Sequence, residues 1–170
     1  MPDRGRLARE ALQHLDALYD HGSYLTRNAA EAEDLVQETY ARVLGAAATF
    51  AGGNLKAWLF RIQRNAFIDQ RRRSRPMAPS FDPASLDTLD GAPAPAGQDE
   101  LAQLRRVTGA DIEAALFTLS DEARAIVLLD LEGFTETEVA DILACAVGTV
   151  KSRLSRARAA LREKLKDYAP

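Results

Sequence analysis

The stretch "TETEVADILACAVGTVKSRLSRARAAL", residues 135–161, predicts two helices joined by a tight turn. Thr135 followed by Glu138 has the spacing of a capping box, which predicts a short helix over 136–143. A turn at 144–147 follows, and a longer helix begins near Gly148. A short helix, a short turn and a basic second helix together form a helix-turn-helix pattern.

The second helix of this pair has two different faces. One is an apolar stripe that predicts packing against its own domain: Val150, Leu154, Ala157, Leu161 and Leu165. The opposite face is polar and basic, with Thr149, Lys151, Ser152, Arg153, Ser155 and Arg156. The N-terminal part of such a helix enters the major groove, where Arg and Lys can read guanine edges and Ser can bond to several bases. Thr149 and the amides at the helix start suit a phosphate. The pattern therefore predicts DNA binding, and a merely solvated basic face is the alternative.

Charge is segregated along the chain, although the net charge is −3. Residues 56–75 and 151–166 each contain seven basic side chains and one acidic one, whereas residues 121–141 contain seven acidic and one basic. Local basic patches, rather than net charge, are typical of phosphate-backbone binding.

Helix-forming residues dominate the 170-residue chain, and no segment alternates with period two for long, so the fold class is predicted as all-α. Residues 75–99 hold five of the seven prolines without apolar periodicity, which predicts a flexible linker. The predicted organisation is a small helical domain at 1–75, an acidic linker rich in Pro and Ala at 76–103, and a second small helical domain, with the helix-turn-helix, at 104–170.

Three helices are predicted in the first domain. The first spans residues 7–28, with Leu7, Ala11, Leu15 and Leu18 inward, and the second spans 30–47, with Leu35, Val36, Tyr40, Val43 and Leu44 inward. A loop at Gly52-Gly53 precedes the third, which Asn54 caps. Over residues 55–73 its apolar stripe is Leu55, Trp58, Leu59, Ile62 and Ala66, which places Trp58 in the core; Arg61, Arg64 and Asn65 lie on another side.

The chain has few residues suited to redox or metal chemistry. The single cysteine, Cys145, forms no internal disulfide and builds no zinc site alone, and is predicted to be a small buried residue. His14 and His21 match no metal-ligand spacing, so no metal or cofactor is expected. No apolar run is long enough to cross a membrane, and a reducing, cytoplasmic setting fits.

The chain resembles the extracytoplasmic-function (ECF) sigma factors of bacteria, which have only the σ2 and σ4 domains. The similarity lies in "LSDEARAIVLLDLEGFTETEVADILACAVGTVKSRLSRARAAL" for σ4, and in "AEDLVQETYARV" with "NLKAWLFRIQRNAFIDQRRR" for σ2. It implies a protein without enzymatic activity that binds core RNA polymerase, at the β′ clamp helices and β flap, and directs promoter recognition and opening. It also implies a separate anti-sigma factor and no small-molecule substrate.

The resemblance assigns roles to residues. In σ4, the −35 element or its phosphates would meet Thr149, Lys151, Ser152, Ser155 and Arg156, while Arg153 and Arg158 would bind phosphate or other parts of the protein. In σ2, the −10 element would meet a base pocket and a basic helix face comprising Ala51, Gly52, Gly53, Asn54, Lys56, Arg61, Arg64 and Asn65. The β′ subunit would meet Asp34, Gln37, Glu38 and Arg42, and the linker would enter the RNA exit channel.

Three positions depart from the family pattern and bear on promoter sequence rather than class: Gly45, Ala51 and Ser155.

Two other classes of protein stay open at this point. A sigma mimic would sequester an anti-sigma factor without binding promoters, but it would have no reason to retain basic faces. A one-component helix-turn-helix regulator would need a ligand or dimerisation domain. An enzyme is disfavoured, because no nucleophile–base pair or glycine-rich phosphate loop is present.

Overall fold

The computed structural model describes residues 3–74 and 109–167, and the predicted linker lies outside them. Within this part of the chain all regular structure is helical, which confirms the fold class. The described residues form two compact units, one of residues 3–74 and 137–144 and the other of 109–136 and 145–167. The predicted domain boundaries stay a prediction.

Residues 3–74 of the first unit form four helices, α1 Arg4–Leu12, α2 Leu15–Thr26, α3 Ala29–Ala46 and α4 Leu55–Ser74, with a 3₁₀ turn at Ala47–Thr49. The extensive packing of α3 against α2 and α4 makes it the centre of this unit. Asn28 caps α3 by accepting a hydrogen bond from the Glu31 amide at 3.1 Å. The core is aliphatic and aromatic, and its members at most 1% exposed include Leu18, Leu35, Val43, Leu59 and Phe60.

The prediction of one helix over residues 7–28 was wrong. The amides of Gln13 and His14 bond to carbonyls three residues back, which tightens the chain into a turn and separates α1 from α2. The break moves Leu15 out of the apolar stripe, and its side chain is 40% exposed. No glycine or proline marks the break, so periodicity alone did not reveal it.

Two other helix faces differ from their predicted orientation. On α3, Leu44 is 57% exposed, and Thr39 is buried instead, with its hydroxyl donating to the Leu35 carbonyl at 2.7 Å. On α4 the buried face consists of Leu59, Phe60, Gln63, Ala66 and Phe67. Trp58 is only half-buried against the Phe50 ring, so its placement in the core was wrong.

Gln63 shows why the face of α4 was misjudged. Its side chain is fully buried, and Nε2 donates to the Leu18 carbonyl at 2.7 Å. A glutamine between arginines is typical of a solvated face, and only its tertiary partner on α2 explains its burial.

The remaining helices are α5 Gly109–Thr118, α6 Asp121–Leu131, α7 Glu136–Leu143 and α8 Val147–Asp167. Ser120 caps α6 as predicted, because its hydroxyl accepts the Ala123 amide at 3.2 Å. In the second unit α8 packs against α6 and α5. No helix in the described part of the chain is both long and apolar enough to cross a membrane.

Arg124 is the largest fully buried side chain of the second unit. Its guanidinium donates to the Leu119 carbonyl at 3.1 Å and to the Asp121 carboxylate at 2.6 Å, and it lies 5.8 Å from the Phe117 ring centroid. The arginine therefore joins the α5–α6 connection to the first turn of α6. No sequence pattern predicted this role, since an arginine in an acidic segment usually stays in water.

His21 makes the stability of the first unit depend on pH. The ring is buried, packs edge-on against Phe60 at 5.0 Å between centroids, and its Nδ1 has no hydrogen-bond partner. Burial lowers the pKa of His21 from 6.5 to about 3. The unfolded chain therefore binds more protons between these pH values. The contribution of the neutral His21 to the free energy of unfolding is fully present above pH 6.5 and is lost as pH falls towards 3.

We expect the free energy of unfolding to fall by about 2 kcal/mol between pH 6.5 and 5 because of this group. The single tryptophan, Trp58, lies in the first unit, so urea unfolding followed by its fluorescence reports this transition. In His21→Leu most of that pH dependence should disappear. An unchanged dependence in the variant would contradict a neutral, buried His21.

Candidate nucleic-acid interface

The inner side of α8 is fixed by burial. Val150, Leu154 and Ala157 are at most 4% exposed, and Leu161 and Leu165 are half-buried. The predicted apolar stripe is therefore confirmed at its first three residues, and its last two residues are less deeply buried. Because this side packs against the unit, the orientation of the opposite side is set.

The opposite side of α8 is polar and accessible. Lys151 and Ser152 are exposed, while Thr149, Arg153, Ser155 and Arg156 are half-buried. The Ser152 hydroxyl donates to the Thr149 carbonyl at 3.2 Å, and Lys151 Nζ lies 3.6 Å from Glu136 with its side chain 62% exposed. These are weak, exposed contacts that water or a nucleic acid can replace. We call these six residues the recognition face.

Arg158 differs from the residues of the recognition face, because its side chain is bonded to another helix. Its guanidinium donates to the Asp130 carboxylate at 2.6 Å, and so it ties α8 to the end of α6. Of the two roles that the sequence left open for Arg158, phosphate contact and contact within the protein, the structure displays the second. A phosphate would have to compete with Asp130 for this side chain.

The segment before α8 follows the predicted pattern, with α7 ending at Leu143 and α8 beginning at Val147. Ala144 in the turn has a φ of 54°, in the left-handed region that non-glycine residues seldom adopt. Cys145, predicted to be buried, is half-buried because it lies in this turn rather than on a packed helix face.

The second candidate surface runs along α4. Arg61 and Asn65 are exposed, and the Asn65 amide oxygen accepts a hydrogen bond from the half-buried Arg64 at 3.1 Å. Asn54, Arg61 and Asn65 are spaced by seven and four residues, which puts them on one side of the helix. The half-buried Lys56 lies on the first turn, with its ammonium 5.8 Å from the Phe60 ring centroid.

The loop before α4 is open. Gly52 and Gly53 have φ values of +93° and +96°, which favour glycine, and nothing lies within 4 Å of the position that a Cβ would occupy on either. Ala51 and Asn54 are also exposed. Asn54 caps α4 as predicted, with its side-chain oxygen accepting the Ala57 amide at 3.1 Å. The glycine loop therefore leads directly into the basic side of α4.

The predicted polymerase-docking residues lie on α3, but not all are equally available. Asp34 and Gln37 are exposed, and Glu38 and Arg42 are half-buried. Arg42 donates through Nε to Glu38 and through its terminal nitrogen to Asp69 of α4, both at 2.8 Å. The structure thus brings Asp34 and Gln37 to the surface and holds Arg42 in an internal ion-pair cluster, which the sequence did not predict.

Comparison with known proteins found relatives for both halves of the chain. Residues 11–76 match the model for Sigma-70 region 2, and residues 110–161 match Sigma-70, region 4. The chain is 36% identical over 170 residues to ECF RNA polymerase sigma factor SigE of Mycolicibacterium smegmatis, covering 99% of this chain and 64% of that protein. It is 37% identical to ECF RNA polymerase sigma factor EcfG of Rhodopseudomonas palustris, covering 95% of this chain and 86% of that one.

A solved structure is similar over almost the full length. The sigma factor RpoE from Bartonella quintana, crystallised in complex with the anti-sigma factor NepR, matches with a TM-score of 0.70 and 34% identity, covering 93% of this chain and 95% of that one. Two helical units and matches to two sigma regions define the class as a protein of the Sigma-70 family. The chain belongs to the ECF RNA polymerase sigma factors.

Proposed function

We propose that this protein is an alternative sigma factor that binds core RNA polymerase, directs it to promoters and assists DNA opening. The observation that carries the proposal is the recognition face of α8, a basic and accessible surface on a helix whose other side is buried. It is supported by membership of the sigma family and by a second basic side on α4, in the other unit.

The recognition face suits duplex DNA at the −35 element. An α-helix fits the major groove, and Arg and Lys at its rim can donate two hydrogen bonds to a guanine edge. Arg156 and Lys151 take that role, Ser152 and Ser155 allow close approach, and Thr149 and Arg153 contact phosphates. Arg158 instead keeps α8 in place through Asp130.

The α4 surface suits single-stranded DNA at the −10 element. An amide side chain such as that of Asn65 can pair with the Watson–Crick edge of an extruded base. Arg61, Arg64 and Lys56 attract the backbone, and the glycine loop with Ala51 and Asn54 offers room for a base because no Cβ occupies it. The polymerase performs the chemistry, and the sigma factor itself catalyses no reaction.

Two protein partners follow from this proposal. Asp34, Gln37 and Glu38 on α3 dock on the β′ clamp helices, and the second unit meets the β flap. The likeness to a sigma factor crystallised with an anti-sigma factor favours a small inhibitory protein as a further partner, with both acting in the cytoplasm. Of the other classes, a sigma mimic has no use for two basic faces, and a one-component regulator would bind DNA tightly without polymerase.

The test is transcription on genomic fragments with purified core polymerase, with and without this protein. We expect initiation at a restricted set of promoters only when both are present, and only weak DNA binding by the protein alone. Tight, sequence-specific binding to a palindrome without polymerase would instead favour the regulator. Polymerase unaffected by the protein, with anti-sigma binding retained, would favour the mimic.

Asn65→Ala should lower promoter opening by about 10-fold or more, since a good base contact is worth roughly 1–3 kcal/mol. Preference at one −10 position should relax, while affinity for core polymerase stays unchanged. The measurement is permanganate reactivity of the opened DNA on promoters varied at each −10 base. Arg72→Ala, an exposed arginine at the end of α4, is the matched control and should leave base preference intact. Normal opening with normal base preference in Asn65→Ala would remove Asn65 from the base-reading set.

A further inference from the structure

An ion-pair cluster connects α3 and α4, and of its members only Glu38 has a role in the function proposed above. Arg42 on α3 holds two carboxylates, Glu38 on its own helix and Asp69 on α4, each at 2.8 Å. Arg73 joins it, with its guanidinium 4.0 Å from Glu38 and its Nε donating to the Asp69 carbonyl at 3.4 Å. The cluster therefore connects the two helices to which the proposed function assigns different tasks.

The position of Asp69 gives the cluster its significance. Asp69 follows Asn65 by four residues, so the two side chains lie one turn apart on the same side of α4. Arg42 likewise follows Glu38 by four residues and Asp34 by eight on α3. The Arg42–Asp69 pair thus joins the helix side that contains the docking residues to the helix side that contains the base-reading residue.

The availability of Arg42 argues against a direct contact with the polymerase. Its side chain is 31% exposed, and two of its donor groups are already bonded to carboxylates in fixed directions. A guanidinium is planar with donors in a rigid fork, so these two bonds fix the directions in which its three remaining N–H groups can donate. Asp34 and Gln37, by contrast, are exposed.

We propose that the Arg42–Asp69 ion pair holds the base-reading side of α4 in a fixed orientation to the docking side of α3. Arg42 and Asp69 are thus positioning residues for promoter opening, and neither contacts DNA or polymerase. This inference rests on the proposed sigma-factor function. When α3 docks on the polymerase, the ion pair therefore also fixes the position of Asn65, which lies one turn from Asp69 on α4.

The test uses the full-length protein with core polymerase and the variants Asp69→Asn, Asp69→Glu and Arg42→Gln, with Asp16→Asn as an exposed acidic control. Core affinity is measured by fluorescence anisotropy, and opening is measured at saturating core. For Asp69→Asn we expect opening to fall about fivefold, which is the upper range for a partly exposed ion pair, with core affinity within about twofold of wild type. Asp69→Glu should recover most of the loss, and thermal melting should show all variants folded.

Two further readouts separate positioning from other roles. The double variant with Arg42→Gln and Asp69→Asn should open promoters as well as the more impaired single variant, since both changes break one link. The ratio of wild-type to Asp69→Asn opening should shrink as salt rises from about 50 to 300 mM, because salt screens the pair.

Three results would overturn the inference: opening by Asp69→Asn within twofold of wild type, a loss of core affinity equal to its loss of opening, or additive losses in the double variant. In each of these cases the wild-type protein still initiates at promoters, so the proposed function stands. Failure of the wild-type protein to direct initiation would instead reject the proposed function itself.

Discussion

Replacing Arg156 with alanine should reduce transcription from the preferred promoter by about 5- to 150-fold, corresponding to roughly 1–3 kcal/mol for a lost base contact. Arg156 lies on the recognition face in the first half of α8, the part that a helix-turn-helix inserts into the major groove. The loss should concentrate at one −35 position, because other bases never made this contact. Preference for that base should therefore relax in the variant.

The measurement is transcription from a promoter library randomised in the −35 element, at several salt concentrations. Arg162→Ala, a half-buried arginine six residues further along α8, is the matched control and should leave base preference unchanged. A uniform loss for Arg156→Ala across all −35 sequences, with a salt slope lower by about one, would make Arg156 a phosphate contact instead.

Arg124→Ala should have the largest effect on stability, lowering the free energy of unfolding of the second unit by about 3 kcal/mol. The change removes a fully buried side chain and leaves the Leu119 carbonyl without that donor. Asp121 is 32% exposed, so water can solvate its carboxylate after the change. Arg124→Lys should lose less, although a single ammonium cannot reproduce the fork that reaches both acceptors.

The two units can be followed separately during urea unfolding. Far-UV circular dichroism reports helices in both units, whereas fluorescence of Trp58 reports the first. In Arg124→Ala the dichroism should begin to fall at lower urea while the Trp58 transition stays in place. An unchanged dichroism transition would mean that the buried arginine contributes little net stability, as is known for some buried ion pairs.

The residues that sequence patterns located well are those whose role is local. The caps at Asn54 and Ser120 depend on neighbours three residues away, and both are confirmed. The turn before α8 and the buried part of its apolar stripe depend on short-range periodicity, and these also agree with the structure.

The contacts that sequence patterns did not specify are those with distant partners. Arg158 is bonded to Asp130, 28 residues away, and Arg42 to Asp69, 27 residues away. A basic residue in a helix offers the same pattern whether its partner is a phosphate or a carboxylate, so only the fold distinguishes the two. For the same reason the burial of Gln63 was not predicted and the exposed Leu44 was misjudged, since packing rather than residue type decided their position.

The proposed function requires one chain to read two promoter elements with two separate helix faces. The most direct measurement places a photoreactive amino acid at position 65 or 152 and identifies the cross-linked nucleotides in open complexes with core polymerase. Position 65 should cross-link to the non-template strand of the −10 element and position 152 to the −35 duplex, whereas a control probe at position 16 should give no cross-link to DNA. Cross-links from positions 65 and 152 to the same element, or equally strong cross-links without polymerase, would contradict the proposed function.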